Sequence, residues 1–548
     1  MNKNIFLIFT IIFILQTFQS KSQDFFWLAF SDKNNTEFLL ANPGEYLSER
    51  AIERRVKQNI PIDSLDLPVN SNYIDSIVTI GGELVHASKW LNGITIKATV
   101  DSFPQKVSGF PFVNLVQLVK PGNTTKSTFN KFSESSLAEN EPIDTTEYGP
   151  SVYQTGLMNG QFLHNQDFNG QGMQIAILDA GFSNADNFLA FDSLWANNQI
   201  LGTKDFVDPS SNIFSTHSHG MSVLSCIGGN VPGELIGTAT KASFWLLRSE
   251  DVNSEFLIEE YNWVAAAEFA DSVGVDVINS SLGYYEFDDA SMNHTYADMD
   301  GKTTQVTKGA NIAASRGMLV FTSAGNEGND PWKYIIAPSD GDNVIGVGAT
   351  NKFGFAAYFT SYGPASDGDI KPNVSAVGWA TFLQLSNGTL GPADGTSFSS
   401  PVMAGMATSL WQAAPYATAV EIKQAIELSS SLYDDPDSLL GYGIPDFRMA
   451  WLYLINQTSP LQEIENQWKV YPNPVENYLI LSQDYTKNYG EVEIEIYSME
   501  GRLLKQWRER NAAKIYLTGL HSLPPGILLL KVNSDKTSET IKIFKPGN

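Results

Sequence analysis

The chain has 548 residues, 43% hydrophobic and 17% charged, which is enough apolar material for a large core. At roughly 100–200 residues per domain it holds about three domains. Its 35 Lys and Arg against 60 Asp and Glu leave a formal charge of −25, which repels phosphate backbones and argues against nucleic acid as a partner. The single cysteine, Cys226, excludes an intramolecular disulfide.

The N-terminus carries Lys3, an apolar run from Ile5 to Leu15 broken only by Thr10, and polar residues from Gln16 to Gln23. This order predicts a secretory signal peptide over residues 1–22, with cleavage near Ser22. No later stretch reaches about 18 apolar residues, so no transmembrane segment is expected. Residues 23–120 alternate strand-like and helical segments. Leu47 to Gln58 reads as a helix whose Arg50, Arg54, Arg55 and Lys57 form an ordinary solvated face. Gly93 to Val100 alternates as a half-buried strand does. Residues 121–149 are rich in Ser, Thr, Asn and Glu, lack periodicity, and read as an exposed linker open to proteolytic processing.

From 150 to 455 short apolar runs alternate with helices. Met173–Leu178, Val275–Asn279, Met318–Thr322 and Asn343–Val347 suit parallel strands covered on both faces, and Ser254–Val273 reads as a helix between them. The fold class is α/β, a mostly parallel sheet flanked by helices. From 465 to 548 helix signals give way to strands. Glu491, Glu493 and Glu495 face one way and Val492, Ile494 and Ile496 the other, while Ile527–Val532 and Thr540–Phe544 add further strands of a small β-sandwich.

Chemistry-bearing residues stand where such a parallel sheet exposes its site, beyond the carboxyl ends of the strands. Asp179 ends the run Ile175–Leu178 and can be held still to orient a histidine; alone, an Asp there is as readily a turn or cap residue. His219 opens the helix that follows Thr216-His217-Ser218 and can take and return a proton near neutral pH. His217 reads as a surface residue, and His86, His164, His294 and His521 are given no role. Ser397 follows Asp394-Gly395-Thr396 at the start of a helix running to about Ala413. A serine there is ordinarily a cap, but free amides and the positive helix end also favour an alkoxide and then an oxyanion. Asn326, in Ser323-Ala324-Gly325-Asn326-Glu327-Gly328, follows a strand on a tight turn. Its amide and the Ser397 N–H would make a two-donor oxyanion hole.

These motifs, in the order Asp, His, Asn, Ser, closely resemble the subtilisin-like (S8) serine peptidases over residues 150–455. The resemblance implies a serine endopeptidase acting through an acyl-enzyme on protein or peptide substrates. Asp179 would be the orienting acid, His219 the general base, Ser397 the nucleophile and Asn326 the oxyanion donor. Ser281, Leu282 and Gly283 would pair with extended substrate, and Ser323, Ala324 and Gly325 would line the other side of the primary specificity pocket. Ala180 stands where the family usually has Thr, and Met221-Ser222 replace Thr-His, which marks a divergent branch. Cys226 reads as a small packing residue. No cofactor is required; calcium is common in relatives, but no ligand run with suitable spacing occurs here, and no metal site is assigned.

The flanks carry their own resemblances. Residues 23–120, with Ser88-Lys89-Trp90-Leu91-Asn92-Gly93, resemble the propeptide of such enzymes, an intramolecular inhibitor removed within 121–149. Residues 465–548 resemble a type IX sorting domain, through Val470-Tyr471-Pro472-Asn473-Pro474, Ile496 to Arg502, Leu523 to Ile527 and Lys542 to Lys545. That implies engagement of secretion machinery and passage through the periplasm and outer membrane of a Gram-negative bacterium to the surface or medium. The alternative is a catalytically inactive peptidase fold used for surface binding, although no reacting group is missing. A Ser-Glu-Asp peptidase shares Gly-Thr-Ser but leaves His219-Gly220 and Gly325-Asn326 unexplained.

Overall fold

The computed structural model describes residues 23–99, 102–124, 131–132, 147–457, 468–475, 477–482, 491–498, 502–510, 514–534 and 538–546. The expected signal peptide and most of the expected linker lie outside the described residues. The chain divides into two compact units, residues 1–458 and 459–548.

The first unit begins with a small α/β layer. Strands β1 (Gln23–Phe30), β2 (Glu83–Ser88), β3 (Gly93–Thr99) and β4 (Val113–Lys120) form an antiparallel sheet in the order β2-β3-β1-β4. Helix α1 (Glu49–Lys57) starts at Ser48, whose side chain accepts from Ala51 N. One sheet face buries Phe26, Leu28, Ile94 and Ile96 against Ile77, Phe103 and Val107. The other face is covered by the next layer, where Trp27 stacks on Tyr261 with ring centres 4.4 Å apart.

Two sequence expectations change here, for one reason. Strand β3 is buried on both faces over Gly93–Ile96, not half-buried, because its own helices cover only one side and the neighbouring layer covers the other. The arginines of α1 are not a solvated face either. Arg54 and Arg55 are buried at 5% and 1% exposure, and both pair with Asp271 of that layer. A surface-like composition thus becomes an interface when its partner is supplied from more than 200 residues away.

The following α/β layer holds seven strands: β5 (Gln174–Asp179), β6 (Ile200–Asp205), β7 (Ser243–Arg248), β8 (Val277–Ser280), β9 (Leu319–Ser323), β10 (Ile345–Thr350) and β11 (Val374–Val377). They run in the order β11-β10-β9-β8-β5-β7-β6, every neighbouring pair parallel. Helices α2 (His219–Gly228) and α3 (Thr396–Ala413) pack in one core with Ile175, Ile177, Phe321 and Val347, whereas α4 (Ile258–Val273) packs with Ala176, Leu178, Ile278 and Val320 on the opposite face. The alternation of Ile175, Ala176, Ile177 and Leu178 between the two cores is the period-two signature of a strand covered on both sides. Helix α3 buries Phe398, Val402, Met403, Met406, Leu410 and Trp411 around its circumference, as a helix inside a large core must.

The second unit pairs a three-stranded antiparallel sheet, β12 (Lys469–Tyr471), β13 (Tyr478–Ser482) and β14 (Lys514–Thr518), with a four-stranded one. The latter holds Leu503–Arg510, Glu491–Ser498, Gly526–Ser534 and Ser538–Lys545 in that order. Val492, Ile494 and Ile496 are fully buried with Leu479, Leu517, Leu528 and Leu530, so the predicted inward face of Glu491–Tyr497 is the core face. Among the described residues no helix is long and apolar enough to cross a membrane.

Candidate active site

Asp179 is the last residue of β5, fully buried, at the carboxyl edge of the sheet. Its Oδ1 accepts from its neighbour Ala180 N at 2.7 Å and contacts His219 Nδ1 at 2.8 Å. Oδ2 has no hydrogen-bond partner among the described residues. The approach depends on Gly220, where a Cβ would come within 2.6 Å of Gly181 O and 2.8 Å of Asp179 Cβ. His219 is the first residue of α2 and 3% exposed. His217, expected at the surface, is half-buried, and its Nδ1 accepts from His219 N at 3.2 Å. Burial, and next the adjacent His219, lower its pKa.

Ser397 lies in the first turn of α3, where amides have no carbonyl one turn back. Its Oγ donates to Ser281 O at 3.5 Å, and Ser281 Oγ donates to Ser397 O at 2.8 Å. No hydrogen bond joins Ser397 Oγ to His219 among the described residues; the Asp179–His219 pair is formed and the serine lies beside it in the same cleft. Asn326 is fixed by its oxygen, which accepts from Thr396 N and Thr396 Oγ1, each at 2.9 Å. Its amide NH₂ is thereby left to donate into the cleft. Gly325 holds φ +113°, and a Cβ there would meet Glu327 Oε2 at 2.3 Å and Ser361 Oγ at 2.6 Å.

The cleft has a volume of about 280 Å³, and His219, Ser397, Asn326, Ser281, Leu282, Gly283, Ser323 and Gly325 line it. Of the expected substrate-binding residues only Ala324 does not; it is fully buried behind the wall. Cys226 is buried within α2, its thiol 3.6 Å from Ser222 O, and burial pushes its pKa well above the usual thiol range, as suits a packing residue.

Three features escaped sequence reasoning. Glu327, inside the Gly-Asn-Glu-Gly turn, lines the cleft and accepts from Ser361 Oγ at 2.8 Å; desolvation raises its pKa to about 7 despite that bond. Its place in a motif already singled out was the available signal. Glu250, Glu255 and Glu259 converge at another edge of the cleft, the first two lining it from the loop before α4 and the third buried behind them in the first turn of that helix. Lys131 and Phe132 lie in the cleft itself, Phe132 with its ring centre 4.1 Å from that of His219. These two residues fall in the stretch expected to be exposed linker, and their side chains have found partners there. A further carboxylate group, Asp342, Asp367 and Asp369, is exposed.

Residues 170–443 match the family model described as the subtilase family, residues 25–134 that of the peptidase S8 propeptide domain of Bacteroidota, and residues 469–545 that of the secretion system C-terminal sorting domain. The chain is 28% identical to subtilisin NAT of Bacillus subtilis subsp. natto over 309 residues, 56% of this chain and 72% of that protein. It is 28% identical to subtilisin of Bacillus pumilus over 292 residues, 53% of this chain and 94% of that one. The crystal structure of MycP1 from Mycobacterium smegmatis aligns with TM-score 0.45 and 18% identity, over 60% of this chain and 90% of that one.

Proposed function

The chain belongs to the subtilase family of serine peptidases, and on that premise we propose that Ser397, His219 and Asp179 hydrolyse peptide bonds through an acyl-enzyme. It is a secreted or cell-surface protein with a propeptide domain and a sorting tail. The observation that carries the catalytic reading is the 2.8 Å Asp179–His219 contact opening into a cleft shared with Ser397 and Asn326.

When a substrate displaces the Phe132 ring, Ser397 Oγ turns to His219 Nε2 and attacks the scissile carbonyl carbon. His219 takes the hydroxyl proton, while Asp179 holds the Nδ1–H tautomer and stabilises the imidazolium. Asn326 Nδ2 and Ser397 N donate to the carbonyl oxygen as it becomes an oxyanion. His219 passes the proton to the leaving amine, and a water activated by the same ring then cleaves the acyl ester. Every step uses groups of this chain.

The domain assignment proposed with this chemistry keeps residues 1–22 as signal peptide, 23–120 as propeptide, 121–149 as the processing region, 150–455 as the peptidase and 465–548 as the sorting domain. Lys131 and Phe132 in the cleft make the uncut N-terminal part an inhibitor of its own enzyme. The processed protein should react with a fluorophosphonate probe and cleave an unfolded protein, and Ser397→Ala should do neither. A mature, folded wild-type protein that fails to label would refute the triad. Asn326→Ala should lower turnover about 10²–10³-fold with little change in KM, the measured size of one oxyanion donor, determined on a subtilisin.

A further inference from the structure

Glu250, Glu255 and Glu259 are 2%, 7% and 0% exposed, and a single cation joins them. The Lys131 ammonium contacts all three, with Glu259 Oε2 at 2.6 Å, and also donates to Asp251 O at 3.1 Å. Tyr284 Oη donates to Glu250 Oε2 at 3.0 Å and fixes that carboxylate. Glu255 Oε1 and Glu259 Oε1 are buried without hydrogen-bond partners among the described residues, so the group has acceptor capacity that one lysine does not exhaust. Burial alone would lower the Lys131 pKa; the three carboxylates outweigh it and hold the ammonium well above its usual range.

Lys131 belongs to the segment matched as propeptide, which ends at residue 134 in that match. Its neighbour Phe132 covers His219. The dipeptide therefore occupies the cleft as a peptide ligand would, with one side chain over the catalytic ring and the other in the acidic group. When that segment leaves, the buried carboxylates either take up protons or accept another cation in its place, and a cationic side chain entering the cleft meets an acceptor group already assembled for it.

Building on the catalytic reading above, the geometry points to Glu250, Glu255 and Glu259 as a specificity subsite for a lysine or arginine side chain, in substrates where that residue directly precedes an apolar one. Lys131 is then the intramolecular occupant that a substrate replaces after processing. A flexible lysine suits a pocket approached from three sides, and arginine, with five donors, can also reach the two unpartnered oxygens.

The test uses two fluorescent peptides of residues 127–138, Ser-Thr-Phe-Asn-Lys-Phe-Ser-Glu-Ser-Ser-Leu-Ala, one natural and one with norleucine in place of Lys131. Binding to the processed protein carrying Ser397→Ala is read by anisotropy, without turnover. The lysine peptide should bind roughly 10- to 100-fold more tightly, the scale of charge-assisted hydrogen bonds. Glu250→Gln combined with Glu259→Gln should close that gap by weakening the lysine peptide alone. Equal binding of the two peptides to the unsubstituted pocket overturns the inference, as does calcium binding at the three carboxylates that leaves the peptides undistinguished. If processed protein with Ser397 intact labels with fluorophosphonate while its Ser397→Ala counterpart binds both peptides alike, the subsite alone is refuted. If the Ser397→Ala protein discriminates between the peptides while the protein with Ser397 intact never labels, the catalytic reading alone is refuted.

Discussion

Two regions bury charge between the propeptide layer and the peptidase layer, and they do it with different chemistry. On the docking face, Asp271 is met by Arg54, Arg55 and Lys89, and Asp66 by Arg55 and Arg316. Glu268 beside them accepts from Ser88 Oγ, Lys89 N and Trp90 N, so the Ser88–Trp90 loop is gripped through its backbone as well. At the cleft edge, three glutamates share Lys131 as their one cation among the described residues. The guanidinium groups of the docking face cannot shed their charge near neutral pH, whereas the cleft carboxyls can take up protons. Burial, and next Glu250, already raise the pKa values of Glu255 and Glu259 well above the usual carboxylate range. One region is built to stay paired; the other can tolerate losing its partner.

The largest effect that separates them comes from removing one partner on each side. Asp271→Ala leaves Arg54, Arg55 and Lys89 buried with no common anion. Breaking a buried pair in this way costs about 3–5 kcal/mol. The denaturation midpoint of the unprocessed Ser397→Ala protein should fall accordingly. Lys131→Met should move that midpoint little, because the glutamates neutralise as the cation departs. It should instead speed fluorophosphonate labelling of unprocessed protein that retains Ser397, by loosening Phe132 over His219. Equal destabilisation by the two substitutions would break the comparison.

An acid scan sharpens it. Burial would raise the Asp271 pKa, but Lys89, Arg54 and Arg55 outweigh it and depress the value from 3.8 to about 2. Because the folded pKa lies below the unfolded one, this contribution is full above pH 3.8 and is lost as pH falls through 2, on the order of 2 kcal/mol. Glu255 and Glu259 have the opposite sign: their folded pKa values are raised, so they lower stability as pH rises above their unfolded values and oppose unfolding in acid. Asp271→Asn should therefore flatten the loss of stability between pH 4 and 2 in circular dichroism melts, while Glu259→Gln should not.

Legibility in the sequence divides along similar lines. Asp179, His219, Asn326 and Ser397 were readable because each sits in a short local signal, a strand end or helix start whose glycines fix the turn. The parallel strands were readable because Ile175–Leu178 is apolar at every position, as burial on both faces demands. Arg54 and Arg55 were misread because Asp271 lies more than 200 residues downstream, and no local pattern tells a solvated arginine face from an interface. Lys131 was hidden for the same reason, one of two lysines in a polar stretch, with its three partners scattered over Glu250–Glu259. The Ser397 hydroxyl orientation toward Ser281 O is a matter of one torsion, which residue types do not encode.

The smallest predicted effect concerns Glu327, the cleft carboxyl on the side opposite in character to Lys131's pocket, since among the described residues it pairs with a serine and no cation. Desolvation is the main cause of its rise to about 7, and the Ser361 hydroxyl only partly offsets it. The group is thus largely neutral at pH 6 and largely ionised at pH 8. A cationic substrate side chain near it should gain from the ionised form, so kcat/KM for a lysine-bearing peptide, divided by that for its norleucine counterpart, should rise a few-fold across pH 7, within the roughly tenfold that 1.4 kcal/mol allows. Glu327→Gln should reduce that rise, leaving the part that Glu255 and Glu259 contribute, with fluorophosphonate labelling intact, which separates a charge effect on binding from a defect in the reacting groups. A ratio that stays pH-independent in the wild type would mean that the Glu327 carboxyl does not reach the bound side chain, and the acidic preference of the cleft would then rest on Glu250, Glu255 and Glu259 alone.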